Sequence, residues 1–307
     1  MILKVTTKLL DKIDEIQLNF SEDTMLIMNI CLMLIMFSVA LDMKYSDFKK
    51  VIQFPKSVGI GLFAQLILLP ILTVLIILVF EFPPSVNLGL LMIAACPGGN
   101  VSNFATHLSK GNTALSVTLT SMVTLGAIFL TPFTFTFWSG FVPGTDAIME
   151  NISLRFIDLF KIIVQLIFIP LTLGMLINQK LPSFADKIRT FFKRLAILIY
   201  AAFIIVALAT NIDNIINYLY LVFFIVIFHN ISAMALGYYF PRLLKRSKFD
   251  SRAICFETGI QNSGLGLILI INFFGGLGGM VVVAAWWGIW DLISSFGLAM
   301  YWNRRPL

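Results

Sequence analysis

Two stretches of this chain put glycines, amides and hydroxyls where the flanking residues are apolar. The first, Cys96-Pro97-Gly98-Gly99-Asn100-Val101-Ser102-Asn103, is entered from Leu90-Leu91-Met92-Ile93-Ala94-Ala95. The second is Glu257-Thr258-Gly259-Ile260-Gln261-Asn262-Ser263-Gly264-Leu265-Gly266. Proline removes a backbone donor and glycine admits non-helical dihedrals, so each stretch interrupts a helix, and Asn and Ser are the residue types that cap one restarting. Glu257 is the carboxylate of the pair, with no Lys or Arg inside either segment. A charge in such surroundings is costly unless something compensates it, and a bound cation does so.

A small hard cation takes oxygen ligands, and the segments supply them from Glu257, Gln261, Asn262, Ser102 and Asn103 together with backbone carbonyls freed by the interruptions. Ser116 and Thr120 lie at i, i+4 on one helical face, extended by Thr113 and Thr124. Hydroxyls in helices also bond back to their own carbonyls, which is the plain alternative for any one of them. Gln65 is the amide of another uncharged run and sits five residues before Pro70. No EF-hand pattern, carboxylate cluster or His set occurs. His107 and His229 are far apart, and Cys31, Cys96 and Cys255 have no metal spacing. A sodium ion or a proton therefore fits better than calcium or a transition metal. The N-termini of half-helices carry partial positive charge, a seat for an anion near Asn100 and Asn262.

The elements that position these residues follow from composition. Charged residues make up 12% of the chain, against roughly 25% in soluble domains, and mean hydropathy is +0.93. Apolar runs of spanning length lie near 24–42, 57–80, 86–109, 112–139, 156–178, 195–211, 216–240, 253–274 and 279–302, about nine membrane helices. Phe82-Pro83-Pro84-Ser85 and the glycines from 275 to 279 separate runs that charge does not. With the N-terminus outside and the C-terminus in the cytoplasm, all of the 22 Lys and Arg residues except Lys4, Lys8, Lys12, Arg155 and Lys161 fall on the inner side. The formal charge of +6 thus reads as a topology signal, not a nucleic-acid surface. Residues 1–23 carry too many charges for a signal peptide and form an amphipathic surface helix or a loose segment; 24–303 form one transmembrane domain.

Each interrupted span is penultimate in its half, and the two run in opposite directions across the membrane. Glycine and proline are common in membrane helices, and one Pro-Gly-Gly alone is usually a kink. Two polar interruptions in corresponding positions point instead to the binding site of an inverted-repeat transporter.

The same residues carry a family likeness. Cys96-Pro97-Gly98-Gly99-x-x-Ser102-Asn103, Gly111-Asn112-x-Ala114-Leu115-Ser116-x-x-x-Thr120-Ser121 and Glu257-x-Gly259-x-Gln261-Asn262-Ser263-Gly264-Leu265 resemble the bile acid:sodium symporter family over about residues 28 to 300. The resemblance implies an all-α inverted repeat with a core domain (spans near 57–139 and 216–302) holding two crossing broken helices, and a panel domain (24–42, 156–178, 195–211). It implies two Na+ sites, the first from Ser102, Asn103, Ser116, Thr120 and Glu257. The second takes Gln65, Glu257, Gln261 and the backbone at Thr258 and Ile260. Asn100, Asn262 and Asp291 face the substrate in this reading; Asp291 stands outside the sodium oxygens, in Trp290-Asp291-Leu292 where some bacterial relatives have Trp-His-Asn.

The expectation is a plasma-membrane, monomeric carrier that moves an organic anion with sodium by alternating access, with no nucleic-acid partner. A proton-coupled or antiporting carrier using Glu257 or Asp291 is the alternative. An intramembrane enzyme is a remote one, since no nucleophile–base or paired-acid constellation is present.

Overall fold

The computed structural model describes residues 13–14, 22–41, 43, 53–80, 82–151, 156–192, 194–195, 198 and 212–305. The expected span near 195–211 and most of residues 1–23 lie outside them. The described residues are helical, joined by short turns, with one isolated antiparallel backbone bridge. The helices are α1 (Glu22–Ala40), α2 (Pro55–Phe80), α3 (Pro84–Ala95), α4 (Asn100–Leu108), α5 (Thr113–Ser139) and the short α6 (Asp146–Asn151). They continue with α7 (Phe156–Ile163, Val164–Phe168 and Ile169–Lys180 in one run), α8 (Ile212–Leu243), α9 (Lys248–Gly259), α10 (Ser263–Phe274) and α11 (Gly278–Asn303). A further helical stretch occupies 182–192.

Among the described residues five helices are long and apolar enough to cross a membrane: Pro55–Phe80, Thr113–Ser139, Phe160–Lys180, Val222–Leu243 and Gly278–Asn303. Shorter apolar helices cover Met25–Ala40, Pro84–Ala95 and Ser263–Phe274. The last two are halves of interrupted spans, so their shortness is the interruption itself. The eighth span begins earlier than the sequence reading placed it. Ser247 caps α9 by accepting the Asp250 N–H at 3.0 Å, so the helix starts at Lys248 and not at 253. A boundary drawn at the last charge missed this because Arg252, only 3% exposed, is carried inside the bundle.

Two helices contain a wide π turn just before a proline. In α2 it covers Ala64–Leu68 ahead of Pro70, and in α7 Val164–Phe168 ahead of Pro170. Proline cannot donate to the carbonyl four residues back, and the chain accommodates the missing bond by widening one turn. Helix α1 packs on α7 and α10, while α11 packs on α3, α8 and α10, and α8 on α9. The α8–α9 contact is backbone-close: a methyl group on Gly237 would meet the Ile254 carbonyl oxygen at 2.8 Å. Small residues at such crossings are how helices associate in lipid, where burial of apolar surface supplies little drive. Of the N-terminal segment, Ile13 is buried in the core and Asp14 accepts the Ser85 N–H at 2.9 Å, capping the start of α3.

Candidate functional site

The two interruptions cross. Helix α3 ends at Cys96, which is extended (φ −73°, ψ 153°), and Pro97 and Gly98 run on as open backbone. Helix α9 ends at Ile260, also extended (φ −105°, ψ 121°). Gly98 and Gln261 form the antiparallel bridge, and the Asn262 N–H donates to the Pro97 carbonyl at 2.8 Å. Each break thereby satisfies part of the other's backbone, the condition for non-helical chain inside a membrane. Helices α4 and α10 then restart from this one crossing point.

The caps differ in part from the sequence expectation. Gly99 is the N-cap of α4 and supplies no side chain. Ser102, a capping type, instead has its hydroxyl within hydrogen-bond distance of the Gly99 carbonyl, at 2.7 Å, and of Glu257. At the second break Asn262 does cap, its Oδ1 accepting the Leu265 N–H at 3.0 Å.

Glu257 is fully buried and gathers the first predicted oxygen set. Its Oε1 lies 2.5 Å from Ser102 Oγ, 2.5 Å from Ser116 Oγ and 2.9 Å from Thr120 Oγ1, which is also 2.8 Å from Oε2. Asn103 Oδ1 lies 2.9 Å from Ser116 Oγ and 3.2 Å from Thr120 Oγ1. All five residues thus meet, from α4, α5 and α9. Thr113 and Thr124, the outer members of the α5 stripe, do not hydrogen-bond to the carboxylate. The proton count matters here. Each hydroxyl has one proton, yet Thr120 Oγ1 approaches both carboxylate oxygens, Asn103 Oδ1 and the Ser116 carbonyl, and the two serines approach two acceptors each. Several oxygens therefore face one another with no hydrogen between them, an arrangement a cation resolves.

The second predicted set shows the same deficit in another form. Gln65 is 1% exposed, and neither its Oε1 nor its Nε2 has a hydrogen-bond partner. Gln261 Oε1 and Thr258 Oγ1 are likewise buried and unpartnered, while Gln261 Nε2 donates to the Thr258 carbonyl at 3.0 Å. Gln65 and Glu257 converge on Gly98: a methyl group there would lie 3.1 Å from Glu257 Oε2 and 3.4 Å from Gln65 Nε2. Buried polar atoms without partners are uncommon and costly in native folds. An unpartnered buried amide across Gly98 from a carboxylate suits a second cation.

Asp291 is buried behind the second break. Its Oδ2 accepts the Gln261 backbone N–H at 3.2 Å and its Oδ1 accepts from Asn230 Nδ2 at 2.9 Å. Asn230 Nδ2 also reaches the Gly259 carbonyl at 2.8 Å, and Trp290 Nε1 donates to Asn230 Oδ1 at 3.1 Å. Asp291 is therefore outside the oxygen sets but one hydrogen bond from them. Asn230 was missed from the sequence, although an amide in mid-span of α8 was the signal that marks it. A cavity lies between the crossing and α1, lined by Leu32, Ile35, Gly99, Asn262 and Asp291 among others. Asn262 and Asp291 thus reach the same space; the side chain of Asn100 lies outside the described residues.

Crossed broken helices inside a bundle of apolar helices are the architecture of a membrane transporter, and the buried, proton-poor oxygen cluster at the crossing suits a small cation. The model of the Sodium Bile acid symporter family matches residues 29–218, and the chain belongs to that family of sodium-dependent transporters. It is 30% identical over 276 residues to the uncharacterized sodium-dependent transporter YocS of Bacillus subtilis (strain 168), covering 89% of this chain and 81% of that protein. It is 29% identical over 279 residues to the probable sodium/metabolite cotransporter BASS2, chloroplastic, of Oryza sativa subsp. japonica (89% and 63%). It is also 29% identical over 274 residues to the BASS3 counterpart of Arabidopsis thaliana (88% and 61%). The chain spans about six-tenths of these plant relatives' length. It is a transporter and not an enzyme.

Proposed function

We propose that the chain is a symporter that carries two sodium ions with one small organic anion by alternating access. The observation that carries this reading is the pair of oxygen sets sharing Glu257, one short of protons and the other short of partners. Ser102, Asn103, Ser116, Thr120 and Glu257 hold the first ion. Gln65, Glu257, Gln261 and the carbonyls of Thr258 and Ile260 hold the second. Because both sets draw ligands from the broken spans, filling them with cations stiffens the crossing that also faces the cavity. Sodium thereby prepares the anion site, which is the coupling a symporter needs.

The anion sits at the N-termini of α4 and α10, where helix ends and free N–H groups favour negative charge. The apolar wall of α1 across the cavity suits an apolar body. Bile-acid-like and smaller amphipathic anions share that description, and the plant relatives are named for metabolites. Asp291 opposes a strongly held headgroup on its side of the cavity and favours a compact one. Nine spans arranged as core and panel, an outer N-terminus and a cytoplasmic C-terminus in the plasma membrane complete the reading, with a monomer as the working unit.

The test is uptake into proteoliposomes of the purified chain for a panel of organic anions, with and without a sodium gradient at fixed pH. Saturable uptake that requires sodium is expected for at least one anion. Uptake that ignores sodium and follows a proton gradient would replace this mechanism with proton coupling through Glu257.

A further inference from the structure

At the basic end of the bundle a groove opens between α8, the start of α9 and the C-terminal half of α11. Lys248, Arg252 and Arg305 line it, and no acidic residue does. Arg252 is the unusual member. It is 3% exposed and donates to the Ser109 carbonyl, but its Nε has no hydrogen-bond partner, and no carboxylate pairs with it among the described residues. Its guanidinium lies 5.4 Å from the centre of the Trp302 ring, and that of Arg305 lies 4.3 Å from the Tyr301 ring. A buried guanidinium with no carboxylate beside it is costly unless an anion offsets its charge.

The rest of the groove says which kind of anion. Away from the cations it becomes apolar along Ile231, Met234, Trp290 and Leu298. Its rims, Ile231 and Tyr239 on α8 and Tyr301 on α11, are exposed at the outside of the bundle. Tyr238, Tyr239, Tyr301 and Trp302 stand beside the cations, as aromatics do at the headgroup level of a bilayer. From Ile231 to Tyr239 the wall runs about 12 Å along the helix, at ~1.5 Å per residue, which matches a stretch of acyl chain. A free inorganic anion has no use for that length of apolar wall.

We propose that this groove binds an anionic phospholipid, with its phosphate on Arg252, Lys248 and Arg305 and one acyl chain along Met234, Trp290 and Leu298. Basic pockets between membrane helices are suited to such headgroups. The lipid meets α9 five residues before Glu257, and Arg252 also holds the end of α4 through Ser109. A bound headgroup therefore braces the two half-helices that carry the first oxygen set.

The experiment uses the purified full chain in neutral detergent, titrated with phosphatidylglycerol or phosphatidylcholine and read by native mass spectrometry and thermal unfolding. Phosphatidylglycerol should be retained and should raise Tm, with phosphatidylcholine much weaker in both. Arg252→Gln removes a buried structural bond as well, so the deciding variant is Lys248→Gln/Arg305→Gln, at exposed positions. It should retain roughly an order of magnitude less phosphatidylglycerol. Arg242→Gln/Lys245→Gln, which removes two charges from the same end outside the groove, should behave as wild type. Equal losses in the two double variants, or equal retention of both lipids, would overturn the site. Inorganic phosphate that matched the Tm shift and displaced the lipid would overturn the lipid assignment.

Discussion

Glu257 is the side chain that the two proposed oxygen sets share. Glu257→Gln keeps an acceptor for the hydroxyls of Ser102, Ser116 and Thr120 but removes the charge that offsets the cations. Sodium affinity, read as the midpoint of sodium-dependent thermal stabilisation, should fall at least about tenfold, equivalent to ~1.4 kcal/mol, and uptake should collapse. Saturable, sodium-driven uptake in that variant would place the ions elsewhere. Gln65 gives a test of opposite sign. Its amide is buried with both polar atoms unpartnered, at a cost of roughly 1–3 kcal/mol when no ion is bound. Gln65→Leu should therefore leave the sodium-free protein as stable or more stable, while cutting the sodium-induced rise in Tm. A fall in sodium-free stability with the sodium response intact would show that Gln65 is packing and not a ligand.

At the scale of elements, the crossing depends on hydrogen bonds from outside it. Asp291 uses one oxygen for the Gln261 N–H and the other for Asn230. An asparagine has a single side-chain oxygen, so Asp291→Asn turns one of those contacts into donor against donor. The second break should loosen, and sodium affinity should fall, though less than in Glu257→Gln, together with a change in preference among anions. Unchanged sodium titration with altered anion preference would confine Asp291 to the substrate, as its place outside the oxygen sets suggested from the sequence. The breaks themselves were legible, because Pro-Gly-Gly and a run of amides and glycines have few other uses inside an apolar span. The capping at the first break was not, because Ser102 had a stronger partner in Glu257, 155 positions away in sequence.

For the whole molecule, the one-sided Lys and Arg distribution predicts topology. A single cysteine introduced within 243–250 should label from the cytoplasmic side only, and one within 146–150 from outside only. Labelling of both from one side would break the nine-span arrangement and the opposed directions of the two breaks. Two sodium ions entering with one monoanion carry a net positive charge, worth about 2.3 kcal/mol per 100 mV. Sodium-dependent uptake should accordingly generate an inward current and speed up as the vesicle interior is made more negative. Uptake indifferent to potential would mean one sodium per monoanion.

The sequence by itself determined the membrane setting, the two interruptions and the residue types able to hold a hard cation, because each is a local property of composition, backbone freedom or charge. It did not determine which polar residues meet. Gln65-Leu66-Ile67-Leu68-Leu69-Pro70 and Gln165-Leu166-Ile167-Phe168-Ile169-Pro170 are near copies, and both form the same π turn. Yet Gln65 is buried beside Glu257, whereas Gln165 is exposed on the outside of α7. The turn follows from the missing proline N–H alone. Burial, and with it the capacity to serve as an ion ligand, follows from which helix packs over the amide, and only the tertiary structure decides that.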